Sequence, residues 1–222
     1  IKYMHNSVIN LNNIKKKINE RLNDLGKNKS PKIIAVSKTF PIEKIYPLID
    51  NGHLHFGENK VQESVNKWSV LKAKNKDIQL HFIGKLQKNK VKYAVKIFDY
   101  IHSVDNEQLA KKISEEIIKV KRKIKIFIQV NIGKEVQKSG VDIKNLDKLY
   151  SFCKEIELDV IGLMCIPPEK ENPENYFKEM QSLVKKFKLD ELSMGMSADY
   201  ICAIDHSSTF VRIGSDIFGK RI

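Results

Sequence analysis

Eight short apolar runs recur along the chain, and between them lie longer stretches whose apolar residues fall at helical spacing. The runs are KIIAVSK (32–38), HLHFGE (53–58), QLHFIG (79–84), FDYIHSV (98–104), IKIFIQVNI (124–132), DVIGLMCI (159–166), ELSMG (191–195) and STFVRIG (208–214). Short continuous apolar runs bounded by turn residues read as strands buried on both faces. The helical stretches between them cover about 41–52, 59–73, 85–96, 105–121, 142–155, 172–187 and 199–206. A further helix leads the chain over residues 8–25, with Ile14, Ile18, Leu22 and Leu25 on one face. Strands that alternate with helices imply βαβ units and a parallel sheet. Eight such units predict an α/β fold of one kind, a single (β/α)8 TIM barrel with an extra N-terminal helix. An open doubly wound sheet is the other arrangement the alternation allows.

No linker, low-complexity tract or internal repeat divides the 222 residues, so one domain over 1–222 is expected. Hydrophobic residues make up 41% of the chain, enough for a sizeable core. No apolar run reaches the roughly 18 residues of a membrane helix, and the N-terminus lacks the pattern of a signal peptide. Cys153, Cys165 and Cys202 are widely spaced, which argues against a disulfide framework and for a reducing, cytoplasmic setting. The six histidines and the carboxylates show no metal-ligand spacing, so no metal is expected. The net charge of +13 raises the question of nucleic acid. The excess is nearly all lysine, however, spread along the whole chain, and arginine is the usual reader of phosphate and base edges. A solvated lysine-rich surface is the better reading.

In a barrel of this kind the chemistry sits at the C-terminal ends of the strands. Polar or glycine-containing segments follow the runs: SKT, GEN, IGKLQKNK, HSVDN, VNIGKEVQKSG, MCIPP, MGMSAD and RIGSDIFG. Lys38 closes the first run. A lysine at the end of a buried strand is costly to desolvate without a use or a partner, and desolvation leaves more neutral amine to attack a carbonyl. Emergence to solvent at the rim is the plain alternative. Met196, Ser197, Gly214 and Ser215 lie at the ends of the seventh and eighth runs or just after them, where glycine backbone and helix-start N–H groups cradle phosphates. Arg212 sits in an apolar run and needs an acceptor: a ligand's ring nitrogen or phosphate, or the carboxylate of an internal ion pair. Asn59 and His81 are polar groups at strand ends that either line the cavity or, for Asn59, cap the next helix.

Taken together, AVSKTFP (35–41), FGENKVQE (56–63), HFIGKLQKNK (81–90), HSVDN (102–106), QVNIGKEVQKSG (129–140), GLM (162–164), LSMGMSAD (192–199) and STFVRIGSDIFGKR (208–221) resemble the YggS/PROSC family of pyridoxal phosphate homeostasis proteins. The resemblance runs from the leading helix to the C-terminus. It implies a barrel related to the cofactor domain of alanine racemase, with pyridoxal 5'-phosphate held as a Schiff base on Lys38. It further implies that Arg212 faces the pyridine nitrogen, that Met196, Ser197, Gly214 and Ser215 hold the phosphate, and that Asn59 lies near the ring. A cationic arginine beside that nitrogen disfavours its protonation and weakens the ring as an electron sink. Members of the family are thought to store or deliver the cofactor without robust turnover. Implied partners are therefore the cofactor, amino acids and apo-enzymes that need it, with no nucleic acid and no membrane, and the chain as a monomer.

The other function the resemblance leaves open is an amino-acid racemase of low activity. The related racemases add a β-rich domain that supplies a second base, and here the residues stop just after the eighth run. Lys138 and Lys220 stand open as a second, transient cofactor site. Three positions depart from the family: Ser215 stands where many members have Thr, Ser207 where Gly usually precedes Ser-Thr, and Lys85 where Pro or His is commoner.

Overall fold

In the computed structural model, which describes residues 4–135 and 137–219, the eight runs form eight strands. These are β1 (Lys32–Val36), β2 (His55–Glu58), β3 (Gln79–Phe82), β4 (Tyr100–Val104), β5 (Lys125–Val130), β6 (Val160–Cys165), β7 (Glu191–Ser193) and β8 (Phe210–Ile213). They pair in chain order, all parallel, and β8 returns to β1 through Lys32–Phe210 to Ala35–Ile213, which closes the barrel. The open-sheet alternative is thereby excluded. The leading helix α1 (Asn6–Asp24) buries Val8, Leu11, Ile14, Ile18 and Leu22, at steps of three and four residues, so that one stripe faces the barrel.

The helices between the strands are α2 (Tyr46–Asp50), α3 (Val61–Lys74), α4 (Val91–Ile97), α5 (Glu107–Val120), α6 (Ile143–Glu155), α7 (Glu174–Lys186) and α8 (Tyr200–Asp205); a last turn, α9 (Ser215–Phe218), follows β8. The single helix expected over 41–52 is instead a 3-10 turn (Ile42–Lys44) followed by α2. Pro47 explains the break: proline has no N–H to donate and fits the first turn of a new helix.

Two layers of core result. The outer layer lies between strands and helices and holds most of the apolar side chains, from Leu11 and Trp68 to Phe177 and Ile217. The inner one fills the barrel with Ile34, Tyr100, Phe127, Met164 and Phe210. The seam between β7 and β8 is the shortest, with Ser193–Phe210 as its single paired position. The residues before β8 reinforce it. Ser208 Oγ donates to the Met194 carbonyl at 2.7 Å, and Thr209 Oγ1 accepts from the Leu192 N–H at 2.8 Å.

Ser207, just ahead of that seam, has φ +67°, the left-handed region that glycine occupies without strain. Ser207→Gly is expected to raise stability by about 0.5–1 kcal/mol, read from urea unfolding. The gain is held down by loss of the Gln181 bond to Ser207 Oγ (2.8 Å) on the surface. An unchanged or lowered midpoint would show that this bond outweighs the backbone strain.

Candidate functional site

At the C-terminal mouth of the barrel is a cavity of about 370 Å³, whose walls include Lys38, Phe40, Met196, Ser197, Arg212, Gly214 and Ser215. Six of the eight residues singled out in the sequence therefore share one cavity. Asn59 and His81 are not in its wall. Asn59 is half-buried in the loop after β2, pressed against the loop after β3: a Cβ on Gly84 would lie 2.4 Å from the Asn59 carbonyl oxygen. Nor does Asn59 cap α3, whose N-cap position is Lys60 with no side-chain bond. His81 is 0% exposed and sits deeper in the barrel. Of the two lysines considered as a second site, Lys138 pairs with Glu135 at 2.6 Å, while Lys220 lies outside the described residues.

Lys38 does not end the strand as expected. The strand stops at Val36, and Lys38 is half-buried in a tight turn in which the Phe40 N–H donates to the Ser37 carbonyl at 3.1 Å. Thr39 completes the turn at φ +70°, a conformation rare for a β-branched residue. Strain of this kind clusters at functional sites because the surroundings over-determine it. Two contacts do so here. The Thr39 N–H donates to Glu63 Oε1 at 3.3 Å, and Phe40 stacks on Phe218 of α9 with ring centroids 4.9 Å apart.

Beneath the turn, Glu58 anchors the residue before Lys38. Its Oε1 accepts from Ser37 Oγ (2.7 Å), Lys67 Nζ (2.9 Å) and Trp68 Nε1 (2.9 Å). The Glu58 and Lys67 side chains are 1% and 9% exposed, so this is a buried ion pair whose partners depend on each other. Removing Glu58 leaves the buried Lys67 with the Ser37 carbonyl at 3.0 Å and a longer pair to Glu63 Oε1 at 3.9 Å, and breaking a buried pair costs about 3–5 kcal/mol. Glu58→Ala is accordingly expected to lower the melting temperature by roughly 10 °C, with 1 kcal/mol worth ~2–4 °C at this size. A shift within a degree or two would mean that water replaces the carboxylate.

The other walls come from the loops after β7 and β8. Gly195 has φ +93°, and a Cβ there would come 2.6 Å from Ala203 Cβ, so only glycine lets α8 pack this close to the loop. The Met196 N–H donates to Asp199 Oδ1 at 2.6 Å, and the Asp216 N–H, in the first turn of α9, donates to Ser197 Oγ at 3.4 Å. These bonds bring Ser197 and Ser215 to one side of the cavity. From outside, α1 braces α9 through Asn10 Nδ2 donating to the Ile217 carbonyl at 3.0 Å.

Arg212 projects into the floor. It is 4% exposed, with NH1 donating to Ser193 Oγ (2.8 Å) and NH2 to the Cys165 carbonyl (2.9 Å). No carboxylate among the described residues reaches ion-pair distance of it. Burial pulls its pKa down from the ordinary value, opposed by Cys165 and Asp199. An Arg guanidinium in proteins stays charged, so Arg212 offers a cation and donors to whatever occupies the cavity. The internal ion pair considered for it is replaced by these two neutral acceptors.

Sequence reasoning missed the apolar wall of the cavity, namely Val36, Phe40, Ile83 and Ile166. Phe40 was visible as a large apolar residue in a turn. Ser193 was missed as well, because nothing in ELSMG marks which side chains point inward. Among the described residues no group of three His, Cys, Asp or Glu is arranged to hold a metal ion, and no helix is long and apolar enough to cross a membrane.

A closed parallel barrel with a lysine on the β1 loop and hydroxyls on the β7 and β8 loops defines a class, and comparison with known proteins agrees. The family described as alanine racemase, N-terminal domain, matches residues 9–221. Among curated relatives, the pyridoxal phosphate homeostasis protein of Aquifex aeolicus is 40% identical over 200 residues, covering 86% of this chain and 87% of its own. The chain belongs to the family of pyridoxal phosphate homeostasis proteins. Among solved structures, PipY of Synechococcus elongatus with pyridoxal phosphate bound is 33% identical, with a TM-score of 0.79 over 91% of this chain and 100% of that one. Alanine racemase of Clostridium difficile shares the fold, with a TM-score of 0.74 at 17% identity, and this chain spans 57% of its length.

Proposed function

We propose that this chain, acting as a single-domain monomer, holds pyridoxal 5'-phosphate at the mouth of its barrel and buffers or delivers it, without turning over amino acids at useful rates. The observation that carries the reading is the convergence of Lys38, Arg212, Ser197, Gly214 and Ser215 on one 370 Å³ cavity. The donor set fits the cofactor, with an amine on one loop, a buried cation on the floor, and hydroxyls beside a helix start that favours an anion. The cavity is also within the range that small cofactors occupy. When bound, the cofactor supplies an aldehyde that condenses with primary amines and a ring that withdraws electrons from the adduct.

The chain's own residues direct that chemistry toward holding. Lys38 provides the amine. Its place in a constrained turn, tied down through Ser37 to Glu58, limits where that amine can reach. Ser197 and Ser215 would hold the phosphate through their hydroxyls. Arg212 would donate toward the ring nitrogen and disfavour its protonation, which would weaken electron withdrawal and favour holding over turnover. A cytoplasmic location, where free cofactor and apo-enzymes meet, completes the reading.

Titration of the chain with pyridoxal 5'-phosphate, followed by assays with single enantiomers of amino acids, tests this. A saturable visible absorption band without interconversion of enantiomers supports it. Steady racemisation by pure chain would replace it with the racemase reading. Arg212→Gln is expected to weaken retention about 10- to 100-fold, the worth of one charge-assisted hydrogen bond, as read by equilibrium dialysis. Unchanged retention would confine Arg212 to a structural part.

A further inference from the structure

Five side chains form a continuous hydrogen-bonded line through the barrel, and it starts at Arg212. Arg212 NH1 donates to Ser193 Oγ at 2.8 Å. Ser193 Oγ meets His102 Nδ1 at 2.9 Å, His102 Nε2 meets His81 Nδ1 at 2.9 Å, and His81 Nε2 meets His55 Nδ1 at 2.9 Å. Ser193, His81 and His102 are each 0% exposed. The line ends at His55, which lines a separate cavity of about 320 Å³ at the N-terminal end of the barrel. The rings are held in plane by stacking: His81 on Tyr100 and His102 on Phe127, each with centroids 4.2 Å apart and planes within 15°.

Counting protons gives the line a direction. Each nitrogen–nitrogen contact holds one proton, since two lone pairs or two N–H groups facing at 2.9 Å repel. Ser193 accepts from Arg212, and its own O–H has His102 Nδ1 as the one acceptor within reach among the described residues. Were Nδ1 protonated instead, the buried serine O–H would be left without an acceptor, a costly arrangement. So the serine donates, and His102, His81 and His55 each carry the proton on Nε2. Both ring nitrogens of His81 and His102 are thus occupied, leaving neither free to bind a ligand or a metal ion.

We propose that Ser193, His102 and His81 are positioning residues for Arg212, a one-way hydrogen-bond relay that fixes the guanidinium at the cavity floor. His81 then acts on the site through Arg212 and not as part of its wall. The assignment rests on the proposed cofactor role only in what Arg212 is positioned for; the direction of the relay stands on the chain alone.

The test uses the chain with histidine labelled by 15N, free of cofactor, at neutral pH. His102 and His81 are expected as neutral rings protonated on Nε2. Protonation of His102 on Nδ1 would overturn the relay whether or not the cofactor binds. Ser193→Ala removes the donor to His102 Nδ1. Expected are a mixed tautomer at His102 and about 10-fold weaker retention of pyridoxal 5'-phosphate, with Ser193→Thr, which keeps the hydroxyl, close to the parent. Parent-like retention in Ser193→Ala would defeat the positioning role. Should that variant fail to fold, the tautomers of the unaltered chain decide. A parent chain that binds no cofactor would defeat the proposed function, while the tautomers still decide the relay.

Discussion

Lys38→Ala is expected to leave a folded barrel in which borohydride reduction fixes no cofactor above background. The reason is local. Lys38 lies outside β1 in a turn that is set by the Ser37 carbonyl, Thr39 and Phe40. Its side chain is no part of the apolar core, so truncation should change stability by less than about 1 kcal/mol. The 36 lysines of the chain make this a demanding comparison, since exposed amines also condense with aldehydes. The two differ in dependence on concentration: scattered surface reaction rises without saturating, whereas one cavity saturates at one equivalent. A Lys38→Ala chain that still takes up one saturable, reducible equivalent would place the amine elsewhere. Thr39→Gly is the useful companion variant. It relieves the strained φ and should stabilise the fold by about 1 kcal/mol while loosening the turn that presents the amine.

Acidification is expected to destabilise the protein steeply from near pH 7 downward, before the carboxylates begin to titrate. Burial pushes His53 down to about 4, and His81 and His102 well below the ordinary value of 6.5, chiefly through desolvation. Linkage sets the sign. His53 stays neutral in the fold down to about pH 4, and His81 and His102 stay neutral well below the ordinary histidine range, but in the unfolded chain all three bind protons below about 6.5. Over that window the unfolded state binds more protons, so stability rises with pH and is lost as pH falls. Between pH 7.5 and 5 His53 alone costs about 2 kcal/mol, and His81 and His102 act in the same direction. His55, also pushed down to about 4 by burial and by Lys32, adds to the trend but is more open to solvent. Denaturant unfolding at several pH values measures it. A profile flat from pH 7.5 to 5 would mean that the rings accept protons within the fold, and the neutral relay through the barrel would then be untenable.

The fold was legible because strands of an all-parallel barrel are buried on both faces and read as unbroken apolar runs. Their ends were less so. Ser37 and Lys38 extend the first run, yet the ladder stops at Val36, because Ser37 turns to Glu58 and the chain enters the Thr39 turn. The positions of Lys38, Ser197, Arg212, Gly214 and Ser215 could be read because chemistry in a barrel tracks strand ends, a rule tied to order along the chain. What lies across the barrel obeys no such order. His81 was legible as a polar residue in an apolar run, but the other members of its line, His55, His102 and Ser193, come from three other strands. The stagger that brings them into line is a property of the closed sheet. Glu58 shows the same limit: FGEN marks an acid near the rim, and only packing discloses that Lys67 and Trp68 converge on it.

Attachment of the cofactor at Lys38 is tested by loading the unaltered chain with one equivalent of pyridoxal 5'-phosphate, reducing it with borohydride, and mapping the modified peptide. One dominant label is expected, on the AVSKTFP segment at Lys38. A label spread over the surface lysines, or concentrated on a segment away from the barrel mouth, would rule Lys38 out as the attachment point.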